Sequence, residues 1–167
     1  TRSGILTILK KMGAHIEILH PRTLCGEPVA DLVVHSSTLQ GTTIGGSIIP
    51  TLIDELPILA VAACYAQGTT IIKDASELKI KESNRIATMT QELTKLGAHI
   101  QETSDGMIIY GGHPIIGGIV ESYKDHRVAM SLAIAGLGSK EGVEIHGSEC
   151  IDISFPHFYH VLNELSS

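Results

Sequence analysis

Apolar positions along the chain switch repeatedly between a helical and a strand-like period. In GILTILKKM, residues 4–12, Ile5, Ile8, Leu9 and Met12 share one helical face, and Gly13 stands where a helix C-cap belongs. His15 to Leu19 then alternates as a strand does. A Pro- and Gly-bearing loop is predicted from Pro21 to Pro28, followed by a strand over Asp31–His35. Another short strand is expected around Thr42–Ile44. Asp54 opens a helix predicted over Glu55–Ala66, with Pro57 tolerated in its first turn and Gly68 ending it. TTIIKD at 69–74 reads as a strand, and a long helix follows over Glu82–Leu96, capped by Gly97.

These segments repeat. LKKMGAHIE at 9–17 returns as LTKLGAHIQ at 93–101, an offset of 84 residues. After each copy come strand-like segments and then an Asp opening an Ala-rich helix: Asp54 in DELPILAVAA and Asp125 in DHRVAMSLAIA. Each helix leads to a Gly and a strand, GTTIIKD at 68–74 and GVEIHG at 142–147. A repeated unit of this kind buries its core against its neighbour, so the pattern predicts a pseudo-symmetric α/β domain.

Composition narrows the class. Hydrophobic residues make up 43% of the 167 and charged residues 18%, which suits a packed domain rather than a disordered one. Aromatics are only 4% with no Trp, so the core must come from Ile, Leu, Val and Ala. A net charge of −6 argues against a nucleic-acid binder that neutralises many phosphates. The three cysteines, Cys25, Cys64 and Cys150, form no CxxC pair and read as reduced cytoplasmic thiols. The run Leu56–Ala63 is too short to span a bilayer. The chain opens on Thr1 rather than Met, with a helical pattern at once, and reads as a piece of a larger protein.

Three places could carry chemistry. In Lys81-Glu82-Ser83-Asn84-Arg85 a loop enters a helix, and Lys81 and Arg85 stand four apart where backbone N–H groups favour anions; a solvated first turn has the same pattern. Lys124-Asp125-His126-Arg127 opens the matching helix of the other repeat, with Asp125 also readable as an ordinary N-cap. Asp54 is either a cap or a carboxylate at the mouth of a cleft, and sequence does not decide whether burial or nearby cations govern its pKa. GTTIGG (41–46) and GGHPIIGG (111–118) lack the order of a nucleotide-binding loop and read as tight turns. Nine histidines show no clustered ligand spacing, so no metal site is assigned; His15 and His99 recur at one repeat position, which suggests a structural role.

Taken together, TRSGILTILKKMGA (1–14), CGEPVADLVVHSS (25–37), LIDELPILAVAACYAQGTTIIKDASELKIKESNRI (52–86), DHRVAMSLAIAGL (125–137) and SFPHF (154–158) resemble the EPSP synthase family. The resemblance implies two similar domains, each of three βαβαββ-type units with parallel helices inside a sheet shell. Residues 1–167 would be most of the C-terminal domain, with the N-terminal domain absent and the piece alone inactive. It also implies transfer of the enolpyruvyl group of phosphoenolpyruvate to the 5-hydroxyl of shikimate 3-phosphate, with no metal or organic cofactor, in a cytoplasmic monomer. By matching position, Asp54 resembles the base near the 5-hydroxyl and a shikimate 3-phosphate contact. Lys81 resembles a lysine shared by both substrates, Glu82 the proton-transfer carboxylate, and Arg85, His126 and Arg127 phosphoenolpyruvate contacts.

One position departs from the pattern. Ile153 stands before SFP, where many members place a phosphoenolpyruvate-binding lysine; a glyphosate-tolerant branch also lacks it, and DELPILAVAA resembles that branch. Two other readings share the fold: an enolpyruvyl transferase acting on UDP-N-acetylglucosamine, which lacks the DHRxAM pattern, and a non-catalytic interaction domain.

Overall fold

The computed structural model describes residues 3–166; Thr1, Arg2 and Ser167, and with them the start of the chain, lie outside the described residues. Two copies of one order of elements follow each other. The first runs α1 (Gly4–Lys11), β1 (His15–Leu24), β2 (Glu27–His35), β3 (Thr43–Ile44), α2 (Leu56–Tyr65) and β4 (Thr69–Ile72). The second runs α3 (Arg85–Lys95), β5 (His99–Glu102), β6 (Met107–Tyr110), β7 (Gly118–Glu121), α4 (His126–Leu137) and β8 (Val143–His146). A 3-10 turn over Ser148–Ile153 then leads into α5 (Phe158–Ser166).

Strand pairing repeats as the order does. β1 pairs antiparallel with β2, and β5 with β6. β3 and β4, separated by α2, pair in parallel, as do β7 and β8 around α4. β4 also pairs antiparallel with β6, which welds the two copies into one four-stranded sheet in the order β3-β4-β6-β5. Parallel neighbours need a crossover, and an apolar helix supplies each one.

The helices stand inside. α2 is apolar on nearly every side, with Leu56, Pro57, Leu59, Ala60, Val61, Ala63 and Cys64 all buried, as expected of a helix surrounded by protein. It packs on α4 and α3, which also touch each other, while strands β5, β6, β7 and β8 lie against the outside of this group. Tyr65 on α2 donates its hydroxyl hydrogen to the Ala135 carbonyl on α4 at 2.7 Å, pinning the two central helices. Burial pushes the Cys64 thiol up to about 12, so it stays an inert core thiol.

Three sequence expectations are corrected. The loop predicted over Pro21–Pro28 is mostly strand: β1 and β2 meet in a two-residue turn at Cys25-Gly26, both at left-handed φ (51° and 84°). Such a turn matches the twist of a hairpin. Pro21 is accommodated because the register slips between Leu19 and Arg22, so its missing N–H breaks no regular pairing. The long helix begins at Arg85 rather than Glu82, because Asn84 caps it by accepting from Ala87 N at 3.2 Å. Lys81 and Arg85 therefore do not share a helical face. Asp54 is not the cap residue of α2, a position that Glu55 takes; it sits in a 3-10 turn over Ile53–Glu55, ahead of α2.

Of the glycine-rich stretches read as tight turns, 41–46 instead holds β3 and opens a 3-10 turn at Gly46, and 111–118 is an irregular connection from β6 to β7. At Gly117 (φ +123°), a Cβ would fall 2.2 Å from the Gly142 carbonyl oxygen, so only glycine lets these backbones meet.

Candidate active site

The starts of α2, α3 and α4 converge, and Arg85 joins them. Its side chain is almost wholly buried, an unusual place for a guanidinium unless its donors are satisfied. Nε donates to Asp125 Oδ2 at 2.8 Å and Nη2 to Asp125 Oδ1 at 3.2 Å, a two-pronged contact across the repeat. Nη2 also donates to Glu82 Oε2 at 2.6 Å, and Nη1 to Asp54 Oδ1 at 3.3 Å. Four of the five N–H donors of Arg85 thus face carboxylates from three separate segments.

Asp125 is the fully buried member. Its Oδ1 accepts from the N–H groups of Arg127 (3.0 Å) and Val128 (3.4 Å), capping α4, and its Oδ2 also accepts from the Ser83 hydroxyl at 2.9 Å. Burial alone pushes its carboxyl up. The Arg85 guanidinium, the Ser83 hydroxyl and the Val128 N–H outweigh that and hold it below the usual carboxylate range, so it stays ionised.

The other sequence-predicted residues surround this pair at graded exposure. Glu82 leaves half its side chain in solvent while one oxygen is held by Arg85. Asp54 is 18% exposed and lies between two guanidiniums, Arg85 on its inner side and Arg127, whose Nη2 is 3.7 Å from Asp54 Oδ2, on the outer. Arg127 is looser: one-third exposed, it also lies 3.4 Å from the Asp54 carbonyl oxygen and 3.6 Å from Glu55. His126 is half-buried beside it. Lys81 reaches back to Glu77, on the 3-10 turn before it, and stands apart from the guanidinium cluster's hydrogen bonds.

Asp54, Glu55, Arg127, Ser131 and Phe158 border one cavity of about 190 Å³, so the carboxylates open into a real space. A larger cavity, about 440 Å³, lies between α1, α2 and α4 and is almost purely apolar; it has no chemistry for an anion. Ile153 ends the 3-10 turn before α5 and is 80% exposed, so it is not core packing.

Sequence reasoning missed three partners. Asp125 looked like an ordinary cap and is also the buried counter-ion of Arg85; Ser83 and Glu55 were not singled out. The available signal was the repeat, which gathers polar residues at equivalent helix starts. Cross-strand pairing brings His35 of β2 up to His15 and Glu17, which stand two apart on β1.

Residues 1–162 match the family described as EPSP synthase (3-phosphoshikimate 1-carboxyvinyltransferase). The 3-phosphoshikimate 1-carboxyvinyltransferase of Desulforamulus reducens is 56% identical over 165 residues, covering 99% of this chain and 38% of that protein. That of Gloeobacter violaceus is 56% identical over 159 residues, covering 95% and 37%. An EPSP synthase structure from Acinetobacter baumannii is similar at a TM-score of 0.94 and 41% identity, over 98% of this chain and 38% of that one. The enolpyruvyl transferase NikO from Streptomyces tendae shares the fold, at a TM-score of 0.69 and 17% identity. The chain spans about 38% of the length of these relatives. Among the described residues, no helix is long and apolar enough to cross a membrane.

Proposed function

The chain belongs to the EPSP synthase family, and from that membership and the geometry of its cluster we propose that it is most of one domain of a two-domain enolpyruvyl transferase. The reaction joins the 5-hydroxyl oxygen of shikimate 3-phosphate to C2 of phosphoenolpyruvate as a proton adds to the methylene carbon. The resulting methyl then loses a proton as phosphate leaves, which restores the enol ether double bond. Both substrates are anions, and both half-reactions move a proton, so the site needs cations beside carboxylates.

One observation carries this reading: the Arg85 guanidinium gathers Asp54, Glu82 and Asp125 at one point, with Arg127 loosely held at the rim. On this reading Asp54 takes the proton of the 5-hydroxyl and contacts shikimate 3-phosphate. Glu82, half in solvent, exchanges the proton of the methylene carbon. Asp125 keeps Arg85 in place, and Arg85, with His126 and Arg127, faces the phosphoenolpyruvate phosphate and carboxylate. Arg127 commits few short contacts inside the protein, so it is the readiest of these to turn to a ligand. Lys81 joins both substrates once it leaves Glu77. The second domain supplies the rest of the shikimate 3-phosphate pocket and closes the cleft against water. The enzyme acts as a cytoplasmic monomer, and its transfer chemistry needs no metal or organic cofactor.

The test is steady-state kinetics on the intact enzyme. Asp54→Asn and Glu82→Gln should each lower kcat by roughly 10²–10⁴-fold, the usual range for a lost acid or base. Arg127→Ala should mainly raise KM for phosphoenolpyruvate. In a phosphate-release assay, the 167-residue chain alone should turn over nothing measurable. All three substitutions leaving kcat and KM within about twofold of wild type would overturn the assignments.

A further inference from the structure

The β1–β2 hairpin is the least buried part of the molecule's sheet structure: Ile16 is its one buried residue. At its open end, three residues with metal-binding side chains converge. His15 and His35 are direct cross-strand partners, and their rings stack with centroids 4.4 Å apart. Glu17 lies two residues along β1 and therefore on the same face. Its Oε1 is 2.9 Å from His35 Nε2 and 3.6 Å from His15 Nε2. One ligand atom from each of the three lies within 4.8 Å of the others, and all three residues are exposed. Ser37 fixes the frame by accepting from His15 N and donating to the His35 carbonyl, both at 2.9 Å.

These spacings match a first-row ion. Ligands at roughly 2.0–2.2 Å in tetrahedral geometry stand roughly 3.3–3.6 Å from one another. The two carboxylate–imidazole distances bracket that range, so small side-chain rotations suffice. Two imidazoles and one carboxylate suit zinc and its neighbours, whereas magnesium and calcium prefer all-oxygen sets.

The second repeat supplies an internal comparison. His99 occupies the position of His15, 84 residues on, and stacks on His113 with centroids 4.0 Å apart. Gln101 stands where Glu17 stands, however, so that cluster has no carboxylate. A stacked histidine pair is thus common to both repeats, but among the described residues a ligand triad belongs to the first alone.

We propose that His15, Glu17 and His35 form a surface site for one divalent ion of the zinc class, which clips β1 to β2 and leaves its remaining positions to water. The site lies outside the transfer machinery and orders a hairpin that has almost no core of its own.

Calorimetric titration of the metal-free intact protein with zinc chloride tests this, together with amide hydrogen exchange over residues 15–35. One equivalent should bind to wild type and to His99→Ala. Glu17→Gln and His35→Ala should weaken that step by at least the roughly 10–100-fold that loss of even an outer partner costs a metal site. Zinc should slow exchange in the hairpin of wild type and leave these two variants unchanged. The replaced side chains are exposed, and circular dichroism checks that each variant folds. Equal stoichiometry and affinity in wild type, Glu17→Gln and His35→Ala would overturn the proposal, as would a wild type that binds no zinc up to millimolar concentration.

Discussion

Arg85 meets Asp125 edge-on, with contacts of 2.8 and 3.2 Å, and neither side chain is open to water. Removing one partner of such a pair leaves the other charge buried and unmatched, at a cost of about 3–5 kcal/mol. Asp125→Ala also deletes the cap of α4 and should sit at the upper end. Arg85→Lys keeps the charge but loses the two-pronged geometry, and should still destabilise substantially. Urea unfolding monitored by far-UV circular dichroism checks both. A loss under about 1 kcal/mol, the scale of an exposed pair, would mean that the contact contributes little to holding the repeats together.

Local patterns were legible because they are decided within a few residues. α2 was readable because an unbroken apolar run lies between Asp54 and Gly68, and the GAHI copies marked the ends of α1 and α3. The start of α3 was not, since Glu82 and Ser83 suit a helix and the outcome hangs on Asn84 capturing Ala87 N. Two of the three carboxylate partners of Arg85 come from 31 and 40 residues away, and the ring stacked on His15 from the opposite strand. Such contacts are set by how the repeats stack, which no local spacing encodes. The resemblance named Asp54, Glu82 and Arg127, but only the fold revealed that Asp125, itself bonded by Ser83, holds Arg85 among them.

The lowered Asp125 carboxyl has a pH signature. A depressed folded-state value contributes stability that is fully present above the ordinary 3.8 and is withdrawn as pH falls through the folded value. The stability difference between wild type and Asp125→Asn should therefore be constant near neutrality and shrink below about pH 4. Urea midpoints at a series of pH values read it directly. A difference that stays constant down to acid unfolding would contradict the assignment.

Glu92 on α3 is fully buried and organises the approach to Asp125. It accepts from the backbone N–H of Glu121 at 2.9 Å, from the Tyr123 hydroxyl at 3.2 Å and from Lys95 at 2.8 Å. Tyr123 and Lys124 both hold left-handed φ (55° and 58°), a strained turn that these contacts stabilise. Glu92→Ala should cost about 1–3 kcal/mol for the stranded N–H alone. Glu92→Gln keeps an acceptor and should cost less. Amide exchange at residues 121–125 should accelerate in the alanine variant; unchanged exchange there would show that the turn is held by other contacts.

On the proposed function, Ile153 bears on inhibition of the intact enzyme. It stands, 80% exposed, at the end of the turn leading to α5, and Phe158 of that helix lines the cavity that Asp54 and Arg127 open into. An exposed isoleucine there gains little from packing, so a lysine in its place is sterically admissible. The family resemblance implies a phosphoenolpyruvate-binding lysine at this position. Its replacement removes a charge-assisted hydrogen bond worth about 1.5–3 kcal/mol, or roughly 10- to 100-fold in affinity. Glyphosate, an anion that competes with phosphoenolpyruvate, should share that loss. Inhibition curves at equal phosphoenolpyruvate should therefore show weak inhibition of wild type and tighter inhibition of Ile153→Lys. Superimposable curves with tight inhibition in both would instead show that a cation elsewhere in the cleft takes over the missing lysine's role.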